Sequence, residues 1–135
     1  MKNVNISCLL AVLCFLAAPA ISDGANIVGI FEGIIETDGN LEPGNTTFDV
    51  SANQKITGSY VFGSEGNRET GILRKCKLRG QRLNCRWSDA YGSGRLRVKF
   101  SQSFCDFKGT WSISDQPSTK YKWTGSNKEC SAATR

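Results

Sequence analysis

The 135-residue chain contains no histidine. That absence removes the commonest general base, the commonest metal ligand and every histidine-dependent catalytic triad. After residue 20 no run is apolar enough to cross a membrane, and no stretch carries the 3.6-residue period of a helix. No glycine-rich loop leads into a helix, so a phosphate cradle has nowhere to form. Serines are plentiful, but none has a base beside it. The acidic residues Glu32, Glu36, Asp49, Asp89 and Asp106 show no spacing that argues for an acid and base pair. The chain is expected to be non-enzymatic, with no cofactor and no metal.

What is present begins with Lys2, an apolar run over residues 6–20 and an abrupt polar change at Ser22-Asp23-Gly24. This order predicts a secretory signal peptide over residues 1–20. Ala18-Pro19-Ala20 fits the small-x-small cleavage rule and places the mature start near Ile21, with a cut after Gly24 as the alternative. The expected product is one extracellular domain over residues 21–135. Losing Lys2 lowers the formal charge from +5 to +4, so the placement of charge matters more than its sum.

The same segment takes Cys8 and Cys14 with it, leaving Cys76, Cys85, Cys105 and Cys130 for an oxidising compartment. Four cysteines allow three pairings. Gly80-Gln81 reads as a two-residue turn of type II′, which wants glycine first. Counting outward pairs Arg79 with Arg82, Leu78 with Leu83, Lys77 with Asn84 and Cys76 with Cys85, the last at a close, non-hydrogen-bonded position. The predicted bridges are therefore Cys76 to Cys85 and Cys105 to Cys130. Loop entropy assigns them about 2.5 and about 3.5 kcal/mol.

A short pattern, apolar-x-Gly-x-apolar, recurs as Phe31-Glu32-Gly33-Ile34-Ile35, Ile56-Thr57-Gly58-Ser59-Tyr60 and Phe107-Lys108-Gly109-Thr110-Trp111. Leu83-Asn84-Cys85-Arg86-Trp87 is a fourth copy with cysteine for glycine. Starts 25, 27 and 24 residues apart make the unit a hairpin. Partner strands with two-residue alternation lie between: Phe48 and Val50; Ile72, Cys76 and Leu78; Leu96, Val98 and Phe100; Tyr121 and Trp123. The hairpins turn at Asp38-Gly39, 79–81, 91–94 and 115–118. Four hairpins predict an all-β fold of eight antiparallel strands, an up-and-down meander closing into a small barrel. A two-sheet sandwich is the alternative.

In such a barrel Gly33, Gly58, Cys85 and Gly109 form one inward layer, and Ile35, Tyr60, Trp87 and Trp111 the next. Two uses of the small layer follow. Either it lets neighbouring aromatics fill the barrel, or it leaves a ligand cavity lined by Tyr60, Trp87 and Trp111 with Trp123 as a further wall.

The predicted pairing also sorts charge by face. Ile72, Cys76, Leu78, Leu83, Cys85 and Trp87 are expected inward, with Arg74 a misfit. Lys75, Lys77, Arg79, Arg82, Arg86, Arg95, Arg97 and Lys99 are expected on one exterior surface. They are eight of the sixteen Lys and Arg that follow residue 20, and the only acidic residue between Ile72 and Phe100 is Asp89, placed in a connecting loop. Like charges paired across strands, Lys75 with Arg86 and Arg79 with Arg82, destabilise a sheet. An anionic polysaccharide, matrix component or cell surface is the partner they imply; plain solubility is the competing account. No aromatic interleaves with these cations, so nucleic acid is not expected. Asn45-Thr46-Thr47 is a glycosylation sequon, and the protein is expected to be a glycoprotein at Asn45 unless this is an unmodified turn residue.

Three resemblances add to this. The closed, basic hairpin over 75–86 resembles β-hairpin antimicrobial peptides, whose apolar face is free whereas this one is expected to be buried. The run from Trp87-Ser88-Asp89 to Gly109-Thr110-Trp111, with Gly94, Phe100-Ser101 and Phe107, resembles a short β-rich repeat of small secreted proteins, which implies a fold and no activity. Ile56-Thr57-Gly58-Ser59-Tyr60 resembles an avidin-family strand, which implies an eight-stranded meander with an aromatic pocket; no ligand-contacting residues carry over to named positions. Three roles are thus open: a basic-faced binding barrel, a carrier of a small hydrophobic ligand in the avidin or lipocalin manner, or a structural matrix or defence protein.

Overall fold

The structure, a computed structural model, describes residues 26–132; the predicted signal segment and both cleavage points lie outside the described residues. Eight strands follow in order: β1 (Gly29–Thr37), β2 (Asn40–Val50), β3 (Ile56–Phe62), β4 (Glu69–Arg79), β5 (Arg82–Asp89), β6 (Gly92–Phe100), β7 (Asp106–Ile113) and β8 (Gln116–Ser126). Each pairs antiparallel with the next, and β8 returns to β1, so the sheet is a closed barrel rather than a sandwich. Closure leaves no free edge. A five-residue helix, α1 (Lys128–Ala132), follows.

Side-chain alternation drives the closure. On β6, Gly94, Leu96, Val98 and Phe100 are buried while Arg95, Arg97 and Lys99 between them are exposed. The seam between β8 and β1 has sparse strand pairing, Glu32 with Ser126 and Ile35 with Trp123. Side chains complete it: the Ile34 amide donates to Thr124 Oγ1 at 3.2 Å, and the Lys122 amide donates to Glu36 Oε2 at 2.8 Å.

One end of the barrel is solid. Phe31, Phe48, Phe100 and Phe107 are all buried and meet largely edge to face, with ring centroids 5.4 to 6.1 Å apart. Leu83 and Ile27, the latter from the turn ahead of β1, belong to the same buried cluster. Burying each phenylalanine is worth about 2 to 3 kcal/mol, and each well-oriented pair adds about 1.

Both predicted disulfides are present, Cys76 to Cys85 and Cys105 to Cys130. The second ties the loop before β7 to α1, where Asn127 Oδ1 accepts the Glu129 and Cys130 amides. The first sits differently from the simple count. Pairing runs Lys77 with Asn84 and then jumps to Arg74 with Arg86, so Lys75 and Cys76 together face Cys85. This is a β-bulge, with Lys75 at φ 51°. The extra residue reverses every face beyond it. Ile72, expected inward, is 45% exposed and Leu73 takes the buried place. Arg74 is no misfit: it points outward and replaces Lys75 opposite Arg86.

Smaller corrections have similar causes. Asp38 and Gly39, at φ 47° and 76°, form the expected tight turn. The last hairpin turns at Ser114-Asp115 rather than Gln116-Pro117, since Ile113 already pairs with Gln116. The β5 to β6 turn is Ala90-Tyr91, and Asp89 ends β5 instead of lying in a loop. Asn45 is exposed on β2, not in a turn. The repeat glycines serve close backbone approach more than room for aromatics: a Cβ at Gly33 would lie 2.1 Å from the Thr124 carbonyl oxygen, and one at Gly109 2.0 Å from that of Arg97. Gly71 and Gly125, outside the repeat, are the glycines that clear space for Tyr60 and Phe107.

Candidate functional site: a cavity at the barrel mouth

The end opposite the phenylalanines is not filled. A cavity of about 360 Å³ opens there, and Tyr60, Trp87, Trp111 and Trp123 all line it together with Ile35, Phe62 and Ile113. These side chains come from five strands but one level of the barrel, as inward residues near the C-terminal ends of β1, β3, β5 and β7 must. β8, running the other way, contributes Trp123.

The rings brace one another. Tyr60 meets Trp123 edge-on at 4.8 Å, Trp87 meets Trp111 edge-on at 5.2 Å, and Tyr121 stacks on Trp111 at 4.5 Å. Tyr60 and Trp123 are almost wholly covered and make the cavity floor, while Trp111, Phe62 and Ile113 are half-buried at its sides. The two sequence-level uses of the aromatics therefore coexist: they pack on each other and still leave a hollow.

Each indole N–H is already committed. Trp87 Nε1 donates to the Ser112 carbonyl at 3.0 Å, Trp111 Nε1 to the Glu36 carbonyl at 2.9 Å, and Trp123 Nε1 to Thr46 Oγ1 at 2.9 Å. Such bonds lock the rotamers of a preformed site. They also leave π faces, not donors, toward the cavity.

Around the mouth lie Asp38, Glu42, Glu69 and Asp89, none of which sequence reasoning placed at a site. Glu42 falls on the inward register of β2 with Gly44, Thr46 and Phe48; Glu69 on that of β4 with Gly71 and Leu73; Asp89 on that of β5 with Cys85 and Trp87. Glu69 is inward only because of the Lys75 bulge. Tyr60 OH donates to Asp89 Oδ2 at 2.7 Å, the Tyr91 amide to Asp89 Oδ1 at 2.9 Å, and Tyr91 OH to Glu69 Oε1 at 2.9 Å. Burial, then the hydrogen bond to Asp89, pushes the Tyr60 phenol far above the usual tyrosine range. The bond to Glu69 raises Tyr91 as well.

The eight cations singled out from the sequence are all exposed. The register arranges all of them but Lys75, which lies in the bulge, in rows across strands. Arg79, Arg82 and Lys99 continue to Lys108 on β7, and Arg74, Arg86 and Arg95 form a second row. Lys77, Asn84, Arg97, Thr110 and Lys122 form a third. Arg74, Lys108 and Lys122 thus join a face that sequence reasoning drew without them. Among the described residues the ion pair is Lys128 with Glu32, so none of these row cations lies within salt-bridge distance of a carboxylate.

No family model matches the chain, and no curated protein and no solved structure matches it. The site therefore has to be read from its own chemistry.

Proposed function

We propose that the protein is a secreted, non-enzymatic binding barrel that takes a small, largely apolar organic ligand into its mouth cavity. One observation carries this reading: four aromatic side chains from four strands converge on a single preformed hollow of about 360 Å³, within the size range of small-molecule sites. The avidin-like strand at Ile56–Tyr60 agrees with it, as a resemblance. Secretion is supported by the apolar segment over residues 1–20 and by the two disulfides. The test is tryptophan emission against a panel of uncharged aromatic and aliphatic compounds. Saturable quenching or a blue shift, weakened by Trp111→Ala, is expected; a panel without response contradicts the reading.

A second reading rests on a different observation, the rows of exposed cations without carboxylate partners. That pattern supports docking of the β4 to β7 wall on a polyanionic glycan, matrix or cell surface. Like charges at directly opposed positions cost about 0.2 to 1 kcal/mol each, and a polyanion would relieve them. Retention on immobilised sulfated polysaccharide should fall steeply with salt. Indifference to charge reversal at Arg82, Arg86, Arg95 and Arg97 would sink it.

A further inference from the structure

The charged groups that line the cavity have one sign. Glu42, Glu69 and Asp89 occupy inward strand positions where alternation calls for apolar residues, and Asp38 joins them from the β1 to β2 turn. Among the described residues no lysine or arginine lines the cavity. Three indole N–H groups of its lining are bonded to the protein, the hydroxyls of Tyr60 and Tyr91 donate to Asp89 and Glu69, and Thr37, Ser64 and Asn67 add neutral hydroxyl and amide groups. A ligand thus meets aromatic faces below and, above, a rim whose charges are carboxylates.

This is the reverse of what composition would place there. The chain is basic, with a formal charge of +5, and its outer wall is cationic, yet the mouth gathers four carboxylates. Among the described residues no three such groups converge closely enough to hold a metal ion. The negative charge is spread round a rim, as suits an extended charge-bearing molecule rather than a bare ion.

From this arrangement we infer that the ligand is an organic cation, an amine or quaternary ammonium joined to an aromatic or apolar body. The inference rests on the carrier reading above and names the ligand class for the same cavity. The apolar body fills the hollow over Tyr60 and Trp123. The cationic head lies within reach of the Trp87 and Trp111 faces, which attract positive charge through the ring quadrupole, and of the rim carboxylates, which accept its N–H groups or neutralise it. An anionic ligand of the same shape would meet four like charges and, among the described residues, no cation to offset them. A neutral one would gain the walls alone.

Three probes of matched shape separate these cases: tryptamine, tryptophol and indole-3-propionate, titrated calorimetrically into the disulfide-intact protein. The expected order is amine, alcohol, carboxylate, with the amine at least about tenfold tighter than the alcohol at low ionic strength and the gap narrowing as salt rises. In Glu42→Gln/Glu69→Gln the ratio of amine to alcohol affinity should fall below about threefold. Equal binding of amine and alcohol overturns the cation inference and leaves the carrier reading standing. Preference for the carboxylate also overturns it. No binding by any of the three overturns both.

Discussion

The two ends of this barrel are built by the same eight strands with the same alternation, yet one is solid and the other hollow. At the closed end four phenylalanines fill the lumen edge to face. Phenylalanine has no polar atom and can turn to suit its neighbours. At the open end the corresponding level carries tryptophans and a tyrosine whose N–H and O–H groups are tied to Ser112, Glu36, Thr46 and Asp89. Rings pinned in this way cannot collapse inward, and the hollow persists. Buried apolar packing is concentrated at one end, and open volume at the other.

The largest expected effect separates the ends with one substitution. Phe48→Ala removes a fully buried ring from the solid end and should cost about 3 to 5 kcal/mol in denaturant unfolding. Phe62→Ala at the half-buried cavity wall should cost only about 1, while weakening ligand binding. Similar losses from both would dissolve the distinction.

The disulfides rank next. Replacing Cys105 and Cys130 together by serine should lower stability by about 3.5 kcal/mol, and replacing Cys76 and Cys85 by about 2.5, on loop entropy. Both bridges lie away from the cavity lining, so the refolded variants should keep their ligand affinity. Lost affinity in a folded variant would show that the mouth depends on the staples.

A smaller effect comes from pH. Tyr60 is held protonated in the folded barrel, whereas in the unfolded chain it titrates near 10. Above that pH the unfolded state releases a proton that the folded state keeps, so stability should fall as pH rises past about 10, with no pH dependence from this group below. Thermal melts across the alkaline range should show the decline in the native protein and a shallower one in Tyr60→Phe. Parallel slopes would mean that burial and the bond to Asp89 do not hold the Tyr60 phenol protonated.

The smallest effect concerns the bulge. Lys75→Gly relieves a left-handed backbone position and should change stability by less than about 1 kcal/mol, measured by the denaturant midpoint.

Much of the solid end was legible in the sequence. Alternating apolar residues, the repeated glycine pattern and the turn at Gly80-Gln81 led to eight strands, a closed barrel and both cysteine pairs, because each signal is local and periodic. The mouth was half legible. Tyr60, Trp87, Trp111 and Trp123 follow from the same alternation, but the carboxylate rim does not. Asp89 and Glu42 lie next to turns, where acidic residues look like ordinary loop chemistry. Glu69 is inward only through a bulge at Lys75, and no glycine marks that bulge. Its one trace in the sequence was the awkward position of Arg74, which a strict two-residue period turned toward the core. A single inserted residue changes no composition and little hydrophobicity, yet it decides which side chains six positions away face the lumen.

The most direct measurement is the set of indole and methyl NMR shifts during titration with tryptamine. The account predicts saturable shifts of the Trp87, Trp111 and Trp123 indole N–H signals, with the Leu83 methyls at the solid end unmoved. Shifts confined to the solid end or to the cationic wall, or no saturable shift at all, would contradict it.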